Sequence, residues 1–253
     1  MSGEYSDSVL LVTAGAGGIG SAVARRFARE GAKVVVVDRD AERARQVAES
    51  CGGVHFTADL SDLEANRRAV RFAVETYGTI DLVHLNTGML CDTAIGDTFD
   101  ERSYLRLFEV NVNSVVYGIQ AVLPVLRAGA GGSILVTAST TGLRPSPDVL
   151  YSASKHAVVG LVRSLAPSLA EEDIALNVLC PGAVDTPMLA PRRAALVAAG
   201  VGLVSPERVA EGARAAFSAG RSGEAWLVNA GFKIAPFEFN DIPIAGEERI
   251  RRP

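Results

Sequence analysis

Tyr151 and Lys155 stand four residues apart in the stretch Tyr151-Ser152-Ala153-Ser154-Lys155. On a helix that spacing places one side chain a turn from the other. The chemistry such a pair offers is proton transfer at oxygen. A free phenol ionises near pH 10, so service as a base at neutral pH means favouring phenolate by about 3 units, or about 4 kcal/mol. An ammonium one turn away is expected to push in that direction. The same residues include Ser152-x-x-Lys155, the spacing of a serine acyl enzyme, but the Lys-Thr-Gly and Ser-Asp-Asn segments that accompany it elsewhere are missing.

The elements that must position this pair alternate between strand and helix patterns. Val9 to Thr13 is a short β-branched run, followed at once by Ala14-Gly15-Ala16-Gly17-Gly18-Ile19-Gly20 and by a helical pattern through Val23, Phe27 and Ala28 that Gly31 closes. Strand, glycine turn and helix form the setting in which glycines let the backbone approach a pyrophosphate and helix-start N–H groups bind its oxygens. The plain alternative is a flexible turn. A triphosphate loop does not fit, because Ser21 rather than Lys follows Gly20. Lys33 to Val37 reads as a buried strand ending in Asp38, where a carboxylate can accept from adenosine ribose hydroxyls and repel a 2′-phosphate. That favours NAD over NADP, against the pull of Arg39. Asp38 is also placed to cap a helix over Ala41 to Ser50.

Further strands are expected at Val54 to Thr57, Ile80 to Asn86, Ser133 to Ala138, Ile174 to Cys180 and Glu224 to Asn229. Helices are expected from about Ser61 to Tyr77, from about Phe99 to Leu126 with Asn111 inside, and from Tyr151 towards Ala170, bent at Pro167. Arg192 to Val204 is loosely helical, and Ser205-Pro206 reads as the cap and first residue of another helix. This alternation predicts an α/β fold with one open, doubly wound parallel sheet covered by helices on both faces.

With 253 residues, 48% of them hydrophobic, the chain suits one domain over residues 1–253. The net charge of -4 argues against a nucleic-acid partner. Of the 25 basic residues all but Lys33, Lys155 and Lys233 are Arg. Cys51, Cys91 and Cys180 are odd in number and widely spaced, which predicts no disulfide framework and a reducing, cytoplasmic setting. Neither a signal peptide at Met1 to Ser8 nor a membrane span is expected. The spacing of His55, His84 and His156 predicts no metal site.

Taken together these stretches resemble the short-chain dehydrogenase/reductase family, from about Val9 to Gly231. Its Thr-Gly-x-x-x-Gly-x-Gly motif falls on Thr13, Ala14, Gly18, Ile19 and Gly20, with Gly15 inside, and departs from it at Ala14, whose methyl is expected to narrow the cofactor's approach. Its Asn-Asn-Ala-Gly motif falls on Leu85, Asn86, Thr87 and Gly88, keeping only the second Asn and the Gly. The resemblance implies a Rossmann-type fold, adenine contacts from Asp59 and Leu60, and a nicotinamide segment at Pro181, Gly182, Val184 and Thr186. It implies a catalytic quartet of Asn111, Ser139, Tyr151 and Lys155. Tyr151 would be the base in alcohol oxidation, Lys155 with the cationic oxidised nicotinamide would lower its pKa, Ser139 would donate to the developing alkoxide, and Asn111 would position a water in a relay to Lys155. Without that context Ser139 reads as a strand-end cap and Asn111 as a satisfied helix polar group. A pocket of Leu90, Leu143, Arg144, Met188 and Leu189 suggests a hydrophobic secondary alcohol or ketone, with a lid around 186–204 and an irregular tail over 232–253. Arg144 is placed either to meet a substrate carboxylate or to form a surface salt bridge. The family's usual homotetramer is the expected assembly. A catalytically silent dinucleotide sensor is the reading from another class, though such proteins usually lack the Tyr or the Lys, and both are present.

Overall fold

Val34, Val35, Val36 and Val37 are all fully buried in β2 (Lys33–Asp38), as in a strand covered on both faces. The computed structural model describes residues 4–240; residues 1–3 and 241–253, with the end of the expected tail, lie outside the described residues. β2 pairs in parallel with β1 (Val9–Thr13), which pairs on its other side with β4 (Leu82–Leu85). β3 (Val54–Thr57), β5 (Gly132–Thr137), β6 (Ile174–Pro181), β7 (Ala225–Val228) and β8 (Ala235–Pro236) complete the order β3-β2-β1-β4-β5-β6-β7-β8. Every pairing is parallel except that of β8 with β7. The tail expected to be irregular therefore adds an edge strand, fastened by the Phe237 amide donating to the Ala225 carbonyl at 2.7 Å.

α1 (Gly18–Arg29), α2 (Ala41–Ser50), α3 (Leu63–Tyr77), α4 (Glu101–Phe108), α5 (Ser114–Ala128), α6 (Val149–Ala170), α7 (Arg193–Ala198) and α8 (Pro206–Ser218) connect the strands. Two cores result. Val23 and Phe27 of α1, Val47 of α2 and Val209 of α8 pack on one sheet face. Val70 of α3, Ile119 and Val122 of α5 and Val158 and Val162 of α6 pack on the other. This is the doubly wound Rossmann-type arrangement the alternating pattern predicts.

Several boundaries differ for physical reasons. The helix expected from Phe99 to Leu126 is interrupted by a π turn, Glu109–Asn113, between α4 and α5. Asp40 rather than Asp38 caps α2, its carboxylate accepting from the Arg43 amide at 3.0 Å. Pro167 lies inside α6 without ending it. Ser205 caps α8 as expected.

One buried polar group stands out in the sheet. His84 of β4 is fully buried; its Nε2 is 2.8 Å from Thr137 Oγ1, and Nδ1 has no partner. Burial pushes its pKa down to about 3. The unfolded chain binds the His84 proton below its ordinary pKa near 6.5, while the folded chain does not until about pH 3, so stability falls as pH drops through that window. Between pH 6.5 and 4 this one group is expected to remove about 3 kcal/mol. Urea midpoints of His84→Leu at pH 7 and pH 4 should differ by less than those of the parent chain; an equal fall in both would show that the acid sensitivity lies elsewhere.

Candidate active site

β1 sits between β2 and β4, so the strand order reverses there and opens a crevice at the carboxyl ends of the strands. The glycine-rich turn lies at that end of β1. Gly17 precedes α1 and no side chain caps the helix, which leaves its first N–H groups for a ligand. A Cβ on Gly18 would collide with the Thr186 side chain, and one on Gly20 with the Ala14 carbonyl. The turn is thus packed too tightly for side chains, and Gly18 brings it against the loop after β6. Ala14 adopts φ 46°, a left-handed conformation that costs a non-glycine residue about 1–2 kcal/mol. The departure from the motif is therefore a strained backbone position as well as an added methyl. Thr13 is buried; its hydroxyl accepts from the Asn86 amide at 2.8 Å and ties the ends of β1 and β4 together. Asp38 at the end of β2 accepts from the Ala16 amide through Oδ2 and the Asp40 amide through Oδ1, each at 3.0 Å.

The four expected catalytic residues come from three separate stretches. Ser139 follows β5, Tyr151 and Lys155 lie in the first two turns of α6, and Asn111 sits on the π turn. Lys155 is buried, with Nζ donating to the Thr137 carbonyl at 3.1 Å and lying 5.7 Å from the centre of the Tyr151 ring. A Cβ on Gly88 would lie 3.3 Å from Lys155 Nζ and 3.6 Å from Asn111 Oδ1, so the glycine keeps the space between those groups clear. Asn111 is fully buried: Oδ1 accepts from the Met89 amide at 2.7 Å, and Nδ2 donates to the Met89 carbonyl at 3.0 Å and the Ser154 hydroxyl at 3.1 Å. The π turn, a distortion frequent at functional sites, carries this amide between the loop after β4 and α6. The plainer role of Asn111, a satisfied buried amide, is therefore real. So is that of Ser139, whose hydroxyl accepts from the Thr141 amide at 3.2 Å.

The electrostatics add a cost that the spacing does not show. Tyr151 is pushed up to about 12 rather than down, chiefly by burial; the Ser139 hydroxyl opposes this, while Asp148 and Cys180 reinforce it. Lys155 is pushed down to about 8, again by burial. Desolvation thus outweighs the help the Ser139 hydroxyl gives the phenol. The pair gains an acidic phenol only if something adds positive charge or restores hydrogen bonds.

These groups open onto a cavity of about 1120 Å³. Of the expected cofactor residues, Gly18, Ile19, Asn86, Gly88, Pro181, Gly182, Val184 and Thr186 line it together with Tyr151, Lys155 and Ser139. All five expected pocket residues line it too: Leu90, Leu143, Arg144, Met188 and Leu189. Thr13, Gly15, Gly20, Asp38 and Asn111 are not among its lining residues. Asp59 and Leu60 are not brought to it. Leu60 is buried in the core, and Asp59 is held by the Arg106 guanidinium at 2.7 Å and by Ser61, which together lower its pKa to about 2. Arg144 is exposed at the cavity and takes part in no ion pair among the described residues, donating only to the Pro145 carbonyl. Sequence reasoning missed Arg43 and Arg192 as lining residues. Phe237 reaches the cavity because β8 forms, a pairing two residues long that leaves no pattern to read.

The glycine cradle, the uncapped helix start and an opening of this size fit a nicotinamide dinucleotide with a small substrate beside it. The family model for short chain dehydrogenase matches residues 8–196. Cyclohexanol dehydrogenase of Acinetobacter sp. (strain SE19) is 33% identical over 196 residues, covering 75% of this chain and 78% of its own. A 3-ketoacyl-(acyl-carrier-protein) reductase from Brucella melitensis, solved with NADH, superposes with a TM-score of 0.83 at 32% identity, over 88% of this chain and 97% of its own. An actinorhodin polyketide ketoreductase variant solved with NADPH gives 0.83 at 29% identity, over 88% and 96%. The chain belongs to the short-chain dehydrogenase family and is an oxidoreductase of alcohols and ketones that uses a nicotinamide dinucleotide.

Proposed function

We propose that the chain transfers hydride between NAD(H) and a hydrophobic secondary alcohol or ketone, with Tyr151 as the proton-transfer group. The observation that carries this reading is convergence: Tyr151, Lys155 and Ser139 share one cavity with Gly18, Ile19 and the segment Pro181 to Thr186. When bound, the dinucleotide supplies the hydride acceptor or donor. In oxidation the Tyr151 oxygen takes the hydroxyl proton of the alcohol; in reduction it returns one. Ser139, already within the hydrogen-bonding environment of Tyr151, donates to the oxygen on which charge develops. Lys155 holds the cofactor ribose and keeps positive charge beside the phenol. Asn111 and Lys155 flank the space that Gly88 leaves open, which supports a water between them in a proton relay. Leu90, Leu143, Met188, Leu189 and Phe237 give the substrate end an apolar wall. The segment 186–204 acts as a lid: α7 buries none of its residues, as expected of an element that moves.

NAD is favoured over NADP because the Asp38 carboxylate, fixed at the glycine turn by the Ala16 amide, would face the 2′-phosphate of NADP. Arg43, which lines the cavity from the first turn of α2, argues for the phosphorylated cofactor.

Two experiments test these assignments. A panel of secondary alcohols and ketones that includes cyclohexanol, screened with both cofactors, should yield a substrate on which Tyr151→Phe loses about 10³-fold or more in kcat, a loss on the scale of one acid–base group. Retention of activity within a few-fold would remove Tyr151 from the chemistry. In fluorescence titrations NADH should bind about tenfold or more tightly than NADPH, and Asp38→Ala should narrow the gap. Tighter NADPH binding would assign the discrimination to Arg43 and Arg39.

A further inference from the structure

Arg192 lies in the short 3₁₀ turn Ala190–Arg192 that precedes α7, and it lines the cavity. Its Nη1 donates to both carboxylate oxygens of Asp148 at 2.8 Å, and its Nη2 lies 3.6 Å from Asp92. Asp92 belongs to the loop after β4, Asp148 to the loop after β5, and Arg192 to the segment after β6. One guanidinium therefore joins the three loops that wall the substrate end.

Asp148 occupies the N-cap position of α6 yet caps no amide. A capping aspartate commonly contributes about 1 kcal/mol to its helix; here both oxygens are directed to Arg192 instead. Asp148 is also three residues before Tyr151, one turn away on the same face, and its charge disfavours the Tyr151 phenolate. The other groups around Tyr151 are accounted for. Ser139 favours the phenolate through a hydrogen bond, and the Lys155 ammonium lies 5.7 Å from the ring centre. Cys180 of β6 is a buried thiol pushed up to about 12 and so stays neutral. His156 of α6 is turned to Ser152, and Arg193 pairs with Asp185. Arg144, on the same loop as Asp148, forms no ion pair among the described residues, and Asp92 is fully exposed. Asp148 is thus the opposing charge closest to Tyr151 in sequence, and Arg192 is its ion-pair partner.

The segment that carries Arg192 has few other anchors. Neither the 3₁₀ turn nor α7 buries a residue. Among the described residues its other ties include the Val184–Val204 bridge and the Arg193–Asp185 pair.

We propose that Arg192 is a positioning residue whose pair with Asp148 latches the segment after β6 across the cavity and, while latched, screens Tyr151 from the Asp148 carboxylate. Closure and proton transfer are thereby coupled. With the latch open, the uncompensated carboxylate holds Tyr151 in its protonated form; with it closed, the phenol ionises more readily. The proposal rests on Tyr151 being the proton-transfer group.

The test is the pH profile of kcat/KM for oxidation of the best alcohol in the panel, measured for the parent chain, Arg192→Ala, Arg192→Lys, Asp148→Asn and the Arg192→Ala/Asp148→Asn double variant, with Tyr151→Phe as control. The rise with pH should move up by about half a unit or more in Arg192→Ala and down by a similar amount in Asp148→Asn, a modest shift because water reaches both partners. Arg192→Lys should return towards the parent profile, and the double variant should match Asp148→Asn. Coincident profiles in all variants, or shifts of one sign in both single variants, would overturn the latch while leaving Tyr151 in place. Activity surviving in Tyr151→Phe would instead overturn the underlying assignment.

Discussion

The site depends on a cost: an ammonium buried beside a partly buried phenol, with no anion paired to the ammonium among the described residues. Lys155 is almost wholly buried, and the acceptor given to its Nζ is the neutral Thr137 carbonyl. A buried charge without a counter-charge is disfavoured by several kcal/mol, and both members of the pair move towards neutrality, Tyr151 to about 12 and Lys155 to about 8. Such an arrangement makes little sense as a device for stability. It makes sense as a cavity whose electrostatics are completed by what enters it.

The rest of the fold serves that cavity. Parallel strands of buried valine, leucine and isoleucine bring the carboxyl ends of β1, β4, β5 and β6 to one edge, and the reversal of strand order at β1 opens it. Asn111 then does a mason's work. By gripping both backbone groups of Met89 and the Ser154 hydroxyl, it fixes the loop after β4 against the helix that carries Tyr151. Ser154 in turn donates to the Tyr151 carbonyl at 2.7 Å, so the grip extends to the catalytic turn itself.

Much of this was legible in the residues. The run Val34 to Val37, the glycine turn after Thr13 and the Ser205-Pro206 helix start each follow from local chemistry, and each element formed where that chemistry placed it. What was not legible depends on long-range geometry. The π turn at Glu109–Asn113 leaves no break in the apolar pattern, and β8 is too short to have one. Asp38 and Asp40 are equally good caps by type; Asp38 is drawn instead to the Ala16 amide of the glycine turn, leaving Asp40 to cap α2. The opposing push of burial on Tyr151 was not legible, because spacing reveals a neighbouring charge but not the depth at which both groups lie. The Arg192–Asp148 pair, 44 residues apart, has no local signature at all.

An ultraviolet titration of the Tyr151 phenolate, taken as the difference between the chain and its Tyr151→Phe variant, reads the central quantity directly. Without cofactor the midpoint should lie above the ordinary phenol range. With saturating oxidised NAD it should fall by several pH units, towards neutrality, as the nicotinamide's positive charge joins that of Lys155. A midpoint that stays where burial puts it when the cofactor binds would contradict the account.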